Sequence, residues 1–135
     1  MLKEVWGSAK YHVPLFWTDS IVLSYSDVAA AKKWWITAFD CREVEVPRDW
    51  DDPLPSDVAL RFPGSEEPTL LLSSRSEGRE SCEHPIVFTG KLEKAYEHLR
   101  GRGLVAAGAI REEWGTKLFK ISDSEGNAIE ICHEP

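Results

Sequence analysis

No apolar run in the chain approaches the roughly 18 residues needed to cross a bilayer. The first residues mix charged, aromatic and small side chains where a secretory signal carries an apolar core. These absences predict a cytoplasmic protein without a membrane partner. Cysteine is sparse: Cys41, Cys82 and Cys132 are odd in number, scattered, and contain no Cys-x-x-Cys pair. That excludes a disulfide framework and a structural zinc knot, and predicts reduced thiols. Cationic residues are also short, 16 Lys and Arg against 23 Asp and Glu, for a net charge of -7. A nucleic acid partner is thereby excluded, because binding its backbone requires clustered cations that displace condensed counterions. A phosphate loop is missing too: Arg100-Gly-Arg-Gly103 closes a helical stretch, whereas such a loop must open one.

What is present fits one globular domain. At 135 residues, with 42% hydrophobic and 29% charged side chains, the chain can bury a real core and is neither disordered nor a coiled coil. Its organising feature is an internal repeat. Ser20-Ile-Val-Leu-Ser-Tyr-Ser-Asp27 slides onto His84-Pro-Ile-Val-Phe-Thr-Gly-Lys91, and Val28, Ala31 and Trp35 fall on Leu92, Ala95 and Leu99. Ile21 to Tyr25 reads as a first strand and Asp27 as the N-cap of a helix reaching about Phe39. Arg42 to Val46 alternates with period two, and Asp57 to Phe62 with Thr69 to Ser73 reads as a hairpin. In the second half Pro85 to Thr89 is a strand, and Leu92, Ala95, Tyr96 and Leu99 form a helix stripe ended by Gly101 and Gly103. Val105 to Arg111, Thr116 to Ser122 and Ala128 to His133 supply three more strands. The fold class is therefore α+β, two βαβββ modules related by a pseudo-twofold axis. Module one covers residues 19–74, module two residues 84–133, a polar linker joins them, and residues 1–18 form an aromatic leader expected to lie across the domain or a partner subunit.

The segment Trp114-Gly-Thr-Lys-Leu-Phe-Lys-Ile-Ser-Asp-Ser-Glu-Gly-Asn-Ala-Ile-Glu-Ile131 resembles the closing strands of the vicinal oxygen chelate superfamily, which includes glyoxalases, bleomycin-resistance proteins and extradiol dioxygenases. Its Asp-x-x-Gly-Asn turn has a physical rationale, since Gly126 takes positive φ cheaply and Asp123 can bond its own backbone two residues on. The resemblance spans about residues 19–133. It implies that metal-using relatives draw ligands from the first and last strand of each module, which here are Ser20, Leu71, His84 and Glu130. Only His84 and Glu130 are usual donors, so no cofactor is firmly expected, and a divalent metal would rest on those two.

The site is expected where the two modules meet. His84 and Glu130 are its candidate catalytic pair, with Glu130 fixing the imidazole tautomer and leaving the other ring nitrogen for a ligand. Ser20 adds a nucleophilic relay as an option. Ser20, Val22, Ser24, Ile86 and Phe88 are expected to line a mostly apolar cavity, with Lys120 and Cys132 from the closing strands and Trp50 and Trp114 as aromatic walls. Cys132 lies two residues past Glu130 on the same strand face. Two function classes follow. One is a homodimeric binding protein that holds a small, partly apolar molecule without a firmly held metal, like the bleomycin-resistance branch. The other is a lyase, isomerase or dioxygenase in which His84 and Glu130 bind a metal; a module that has lost its site and serves as an interaction domain is a third possibility.

Overall fold

The computed structural model describes residues 14–50, 53–74, 82, 84–105 and 109–134. Ile21–Ser24 forms β1, and Asp27 then caps helix α1, Val28–Phe39, by accepting the Ala30 N–H at 3.0 Å. Val28, Ala31, Trp35, Ala38 and Phe39 recur at helical spacing and are the buried stripe of α1. Asp40 ends it in a left-handed conformation, φ 58°, which a short polar side chain tolerates better than a bulky one. β2 (Arg42–Val44), β3 (Val58–Arg61) and β4 (Leu70–Ser73) complete module one.

Module two repeats the order with β5 (Ile86–Thr89), α2 (Leu92–Gly101), β6 (Arg111–Glu113), β7 (Thr116–Ser122) and β8 (Ala128–His133). Helix α2 buries Leu92, Ala95, Tyr96 and Leu99, and Gly103 at φ 73° turns the chain so that the Leu104 N–H reaches back to the Leu99 carbonyl at 3.0 Å. The sheets have the same order, β1-β4-β3-β2 and β5-β8-β7-β6, with the first pair parallel and the others antiparallel. The repeat seen in the sequence is thus a repeat of topology.

One strand differs from expectation. Of the expected strand Val105 to Arg111, residues 106–108 lie outside the described residues, Val105 lies in a bend, Ala109 and Ile110 precede the ladder, and β6 starts only at Arg111. The reason is the turn that follows. Trp114 and Gly115 both take positive φ, 56° and 77°, the two-residue hairpin geometry that matches strand twist, so pairing is registered from that turn outward. Much of the aromatic leader and most of the 74–83 linker lie outside the described residues. The end of the leader that is described does lie across the domain, because Trp17 exchanges both backbone hydrogen bonds with Phe88 at the free edge of β5.

The core lies on the helix side of both sheets and is continuous. Trp35, Phe39 and Phe62 from module one, Val87, Leu99, Phe119, Ile129 and Ile131 from module two, and Phe16 from the leader belong to one apolar cluster. Phe16 meets Phe39 edge-on at 4.8 Å and His98 at 5.4 Å, wedging between the helices. The modules therefore join through their helix-packed faces.

Polar contacts across that junction are concentrated at the ends of α1. At its start, the Glu125 carboxylate accepts the Ser26 and Asp27 N–H groups at 3.1 and 2.8 Å, and Asp123 accepts the buried Tyr25 hydroxyl at 2.7 Å. Tyr25 in turn accepts the Trp35 indole N–H at 2.9 Å. At its end, Arg102 donates to both Asp40 oxygens and His98 Nε2 donates to the Ala38 carbonyl at 3.1 Å. Burial, above all, lowers the His98 pKa from its usual value, aided by the neighbouring Arg102 charge.

Two outcomes are expected. Tyr25→Phe leaves the Trp35 N–H without its buried acceptor and removes a donor from Asp123, and should lower stability by about 1–3 kcal/mol in urea unfolding. For His98 the folded pKa lies below the unfolded one. Its stabilisation is complete above the unfolded value near 6.5 and is lost as pH falls through the folded value. His98→Asn should therefore flatten the loss of unfolding free energy between pH 7.5 and 5.5; an unchanged slope would refute this role.

Candidate functional site on the open face of sheet two

Side chains alternate across a strand and paired residues share a face, so the ladder register assigns each residue of module two to one side. Val87, Thr89, Phe119, Ile121, Ile129 and Ile131 point toward α2 and are buried. The opposite face carries Ile86 and Phe88 from β5, Glu130 and Cys132 from β8, Leu118 and Lys120 from β7, and Arg111 and Glu113 from β6. Ile86 and Lys120 flank Glu130, while Phe88 and Leu118 flank Cys132. This face has an apolar floor with the Glu130 carboxylate set into it and Glu113 on its outer strand, and Ile86, Phe88 and Glu130 on it are only half-buried.

The carboxylate is held by its neighbour. Cys132 Sγ donates to Glu130 Oε1 at 3.6 Å, as the shared strand face predicts. Burial chiefly, with the adjoining Glu130 charge, pushes the Cys132 thiol up to about 11, so it stays a protonated donor at neutral pH. Arg111 Nε and Glu113 pair at 2.7 Å on the outer strand, which leaves Lys120 as the cation beside Glu130. Trp17 stacks on Phe88 with centroids 6.2 Å apart and extends the apolar floor past the sheet edge.

Glu130, Cys132, Ile86, Phe88 and Lys120 are thus brought together. His84 stands just before β5, one residue from the Pro85 carbonyl that accepts the Glu130 N–H at 3.1 Å, and is exposed. Among the described residues its imidazole has no hydrogen-bond partner, and the Glu130 oxygen that is engaged, Oε1, accepts from Cys132. Ser24 lies instead in a recess of about 280 Å³ at the module junction, lined also by Tyr25, Cys82, Pro85, Asp123 and Asn127. Val22 shares the Ser24 face of sheet one, where Leu71, Ala59 and Ser73 are closed off at 2%, 0% and 0% exposure. Ser20 is exposed ahead of β1, and Trp50 is half-buried in the β2–β3 loop. Among the described residues Trp114 walls no recess, since it stands 99% exposed on the β6–β7 turn.

The residues at the four family ligand positions do not fit a firmly coordinated ion. Leu71 offers no donor and is buried, Ser20 is a weak one, and among the described residues no three His, Cys, Asp or Glu side chains cluster as a metal site. Sequence reasoning missed Leu118 and Trp17. Alternation from Lys120 would have found Leu118. No local signal marks Trp17, whose role depends on pairing across 71 positions of chain.

Comparison with known proteins agrees with this architecture. The sequence model of the Glyoxalase/Bleomycin resistance protein/Dioxygenase superfamily matches residues 17–131. No curated protein matches the chain. Among solved structures, a member of that superfamily from Sphaerobacter thermophilus DSM 20745 is similar with TM-score 0.63 and 21% identity, covering 87% of this chain and 97% of its own. TioX from Micromonospora sp. ML1 has TM-score 0.61 and 15% identity, covering 86% and 94%. A lactoylglutathione lyase from Agrobacterium tumefaciens has TM-score 0.61 and 15% identity, covering 85% and 91%. At these identities the structures share the fold alone, whereas the family match takes in nearly everything from the β5-edge contact of Trp17 to the last turn of the ladder at Ile131. The chain belongs to the glyoxalase/bleomycin resistance protein/dioxygenase superfamily.

Proposed function

We propose that this protein binds a small, partly apolar molecule on the open face of sheet two, without a tightly held metal, in the manner of the bleomycin-resistance branch. The observation that carries this reading is the composition of that face. Ile86, Phe88 and Leu118 offer apolar contact, and one carboxylate, Glu130, is positioned by Cys132 to accept a hydrogen bond or face a cationic group. A carboxylate recessed in an apolar floor interacts with a ligand donor more strongly than one in water, because the local dielectric is lower. The net charge of -7 also favours a basic ligand.

The donor count at the family positions supports the metal-free reading, since two protein ligands seldom hold a divalent ion firmly. A homodimer in the cytoplasm is the assembly we propose, a second copy closing over the open face. The competing reading is a metal-dependent lyase, isomerase or dioxygenase using His84 and Glu130. Its support is the placement of His84 at the residue preceding Pro85, whose carbonyl bonds Glu130.

One experiment separates them. Protein purified without chelators should contain substoichiometric metal, and a thermal-shift screen of metabolites and antibiotics should yield a stabiliser. At 100 times its dissociation constant such a ligand adds about 2.7 kcal/mol, and Glu130→Gln should weaken it at least about tenfold through the lost charge-assisted bond. Stoichiometric metal that disappears in both His84→Ala and Glu130→Gln would defeat the binding-protein reading and establish the other.

A further inference from the structure

At the far end of module one, a second group of side chains is unexplained by the site on sheet two. Arg42 on β2 and Arg61 on β3 are direct partners in the antiparallel ladder, so their side chains leave the same face of the sheet at neighbouring positions. Like charges placed directly opposite each other across strands are destabilising. The chain is strongly acidic, yet among the described residues no acid pairs with either guanidinium.

Both arginines border a depression of about 400 Å³, lined also by Asp40, Phe62, Pro63 and Gly64. Asp40 is the one acid in that lining, and its two oxygens are engaged by Arg102 at 3.1 and 3.3 Å. Its charge is thereby matched, and Glu43, next to Arg42, is matched by Lys32 at 3.1 Å. Among the described residues two positive charges remain uncompensated. Arg61 is also pre-oriented, because its Nη1 donates to the Ser65 carbonyl at 3.0 Å across the turn that Gly64 makes at φ 85°. Arg42 makes no side-chain bond within the described residues and is free to swing toward a ligand.

We infer that Arg42 and Arg61 form an oxyanion site for a phosphate-bearing small molecule, separate from the face of sheet two. A guanidinium presents parallel N–H donors that match two oxygens of one phosphate, and two guanidinium groups on one face can grip such a group from both sides. A phosphate monoester carries about -1.5 to -2 charge at neutral pH, which balances the two uncompensated arginines; a single carboxylate balances only one. Occupancy also removes the repulsion that the ladder imposes on the empty site. The site is independent of the ligand proposed for Glu130, so either reading can fail without the other.

The test is a titration of the full chain with inorganic phosphate at constant ionic strength, followed by the NMR shifts of the arginine Nε–H groups and the Gly64 amide. Saturable shifts at Arg42, Arg61 and Gly64 are expected, with affinity lowered at least about tenfold in Arg42→Gln and in Arg61→Gln, and unchanged in Arg100→Gln, whose side chain faces Glu97 in module two. Thermal melts supply a second readout. Without phosphate Arg42→Gln should melt higher than the wild type, and added phosphate should stabilise the wild type and Arg100→Gln but not Arg42→Gln. Should Arg61→Gln fail to fold for want of the Ser65 contact, Arg42→Gln decides by itself. Absence of saturable shifts, or shifts undiminished in Arg42→Gln, would overturn the site. Succinate binding more tightly than phosphate would overturn the phosphate assignment.

Discussion

Helix α1 has no acidic residue in its first turn and no basic residue in its last, so beyond the N-cap Asp27 its own sequence supplies no charge complementary to the helix dipole. Module two provides what is missing. Glu125 accepts the N–H groups of Ser26 and Asp27 at the positive end, and Arg102 and His98 meet Asp40 and the Ala38 carbonyl at the negative end. Each contact is individually modest, since such charges contribute about 0.3–1 kcal/mol at a helix end. Together they grip one element at both ends, and that defines orientation where apolar packing alone would allow sliding. The buried chain from Trp35 through Tyr25 to Asp123 adds a directional pin, and burial pushes the Tyr25 phenol far above its usual range, keeping it a donor to the carboxylate. This clamp works together with the continuous apolar core and the Phe16 wedge to set the arrangement of the two modules.

Because the modules meet through their helices, the faces turned away from the helices remain for function. They are not equivalent. In module one Ala59, Leu71 and Ser73 on that face are closed, whereas in module two Ile86, Phe88 and Glu130 are half-open. The repeat has kept its topology and lost its chemical symmetry: the ladder position that carries Glu130 in β8 carries an enclosed leucine in β4. The ligand we propose would meet one face of the fold, and the arginines that lack an acidic partner among the described residues stand apart from it at the other end of sheet one.

The sequence was informative wherever short-range geometry decided the outcome. Asp27 as the N-cap, the stripe from Val28 to Phe39, and the Asp123 turn, whose Oδ1 accepts the Glu125 N–H at 2.9 Å, could all be read from spacing. The shared face of Glu130 and Cys132 followed from period two alone. Less legible was anything set by pairing at long range. The start of β6 moved to Arg111 because the Trp114–Gly115 turn fixes register, and Trp114 was sent outward by the same turn. His84 and Glu130 stand at the first and last strands of module two, yet the bond seen at the carboxylate comes from the thiol two residues away.

What the amino-acid order determined by itself is therefore the set of elements, their duplication and the sidedness of each strand, because these depend on side-chain period and on turn residues acting within a few positions. Which side of each sheet is buried against the other module was decided only in three dimensions. A strand's alternation marks two faces without saying which one a distant helix will cover. That choice was made by Phe16 wedging between the helices, by Glu125 and Arg102 reaching across from module two, and by Trp17 docking on the edge of β5, contacts between residues remote in the chain.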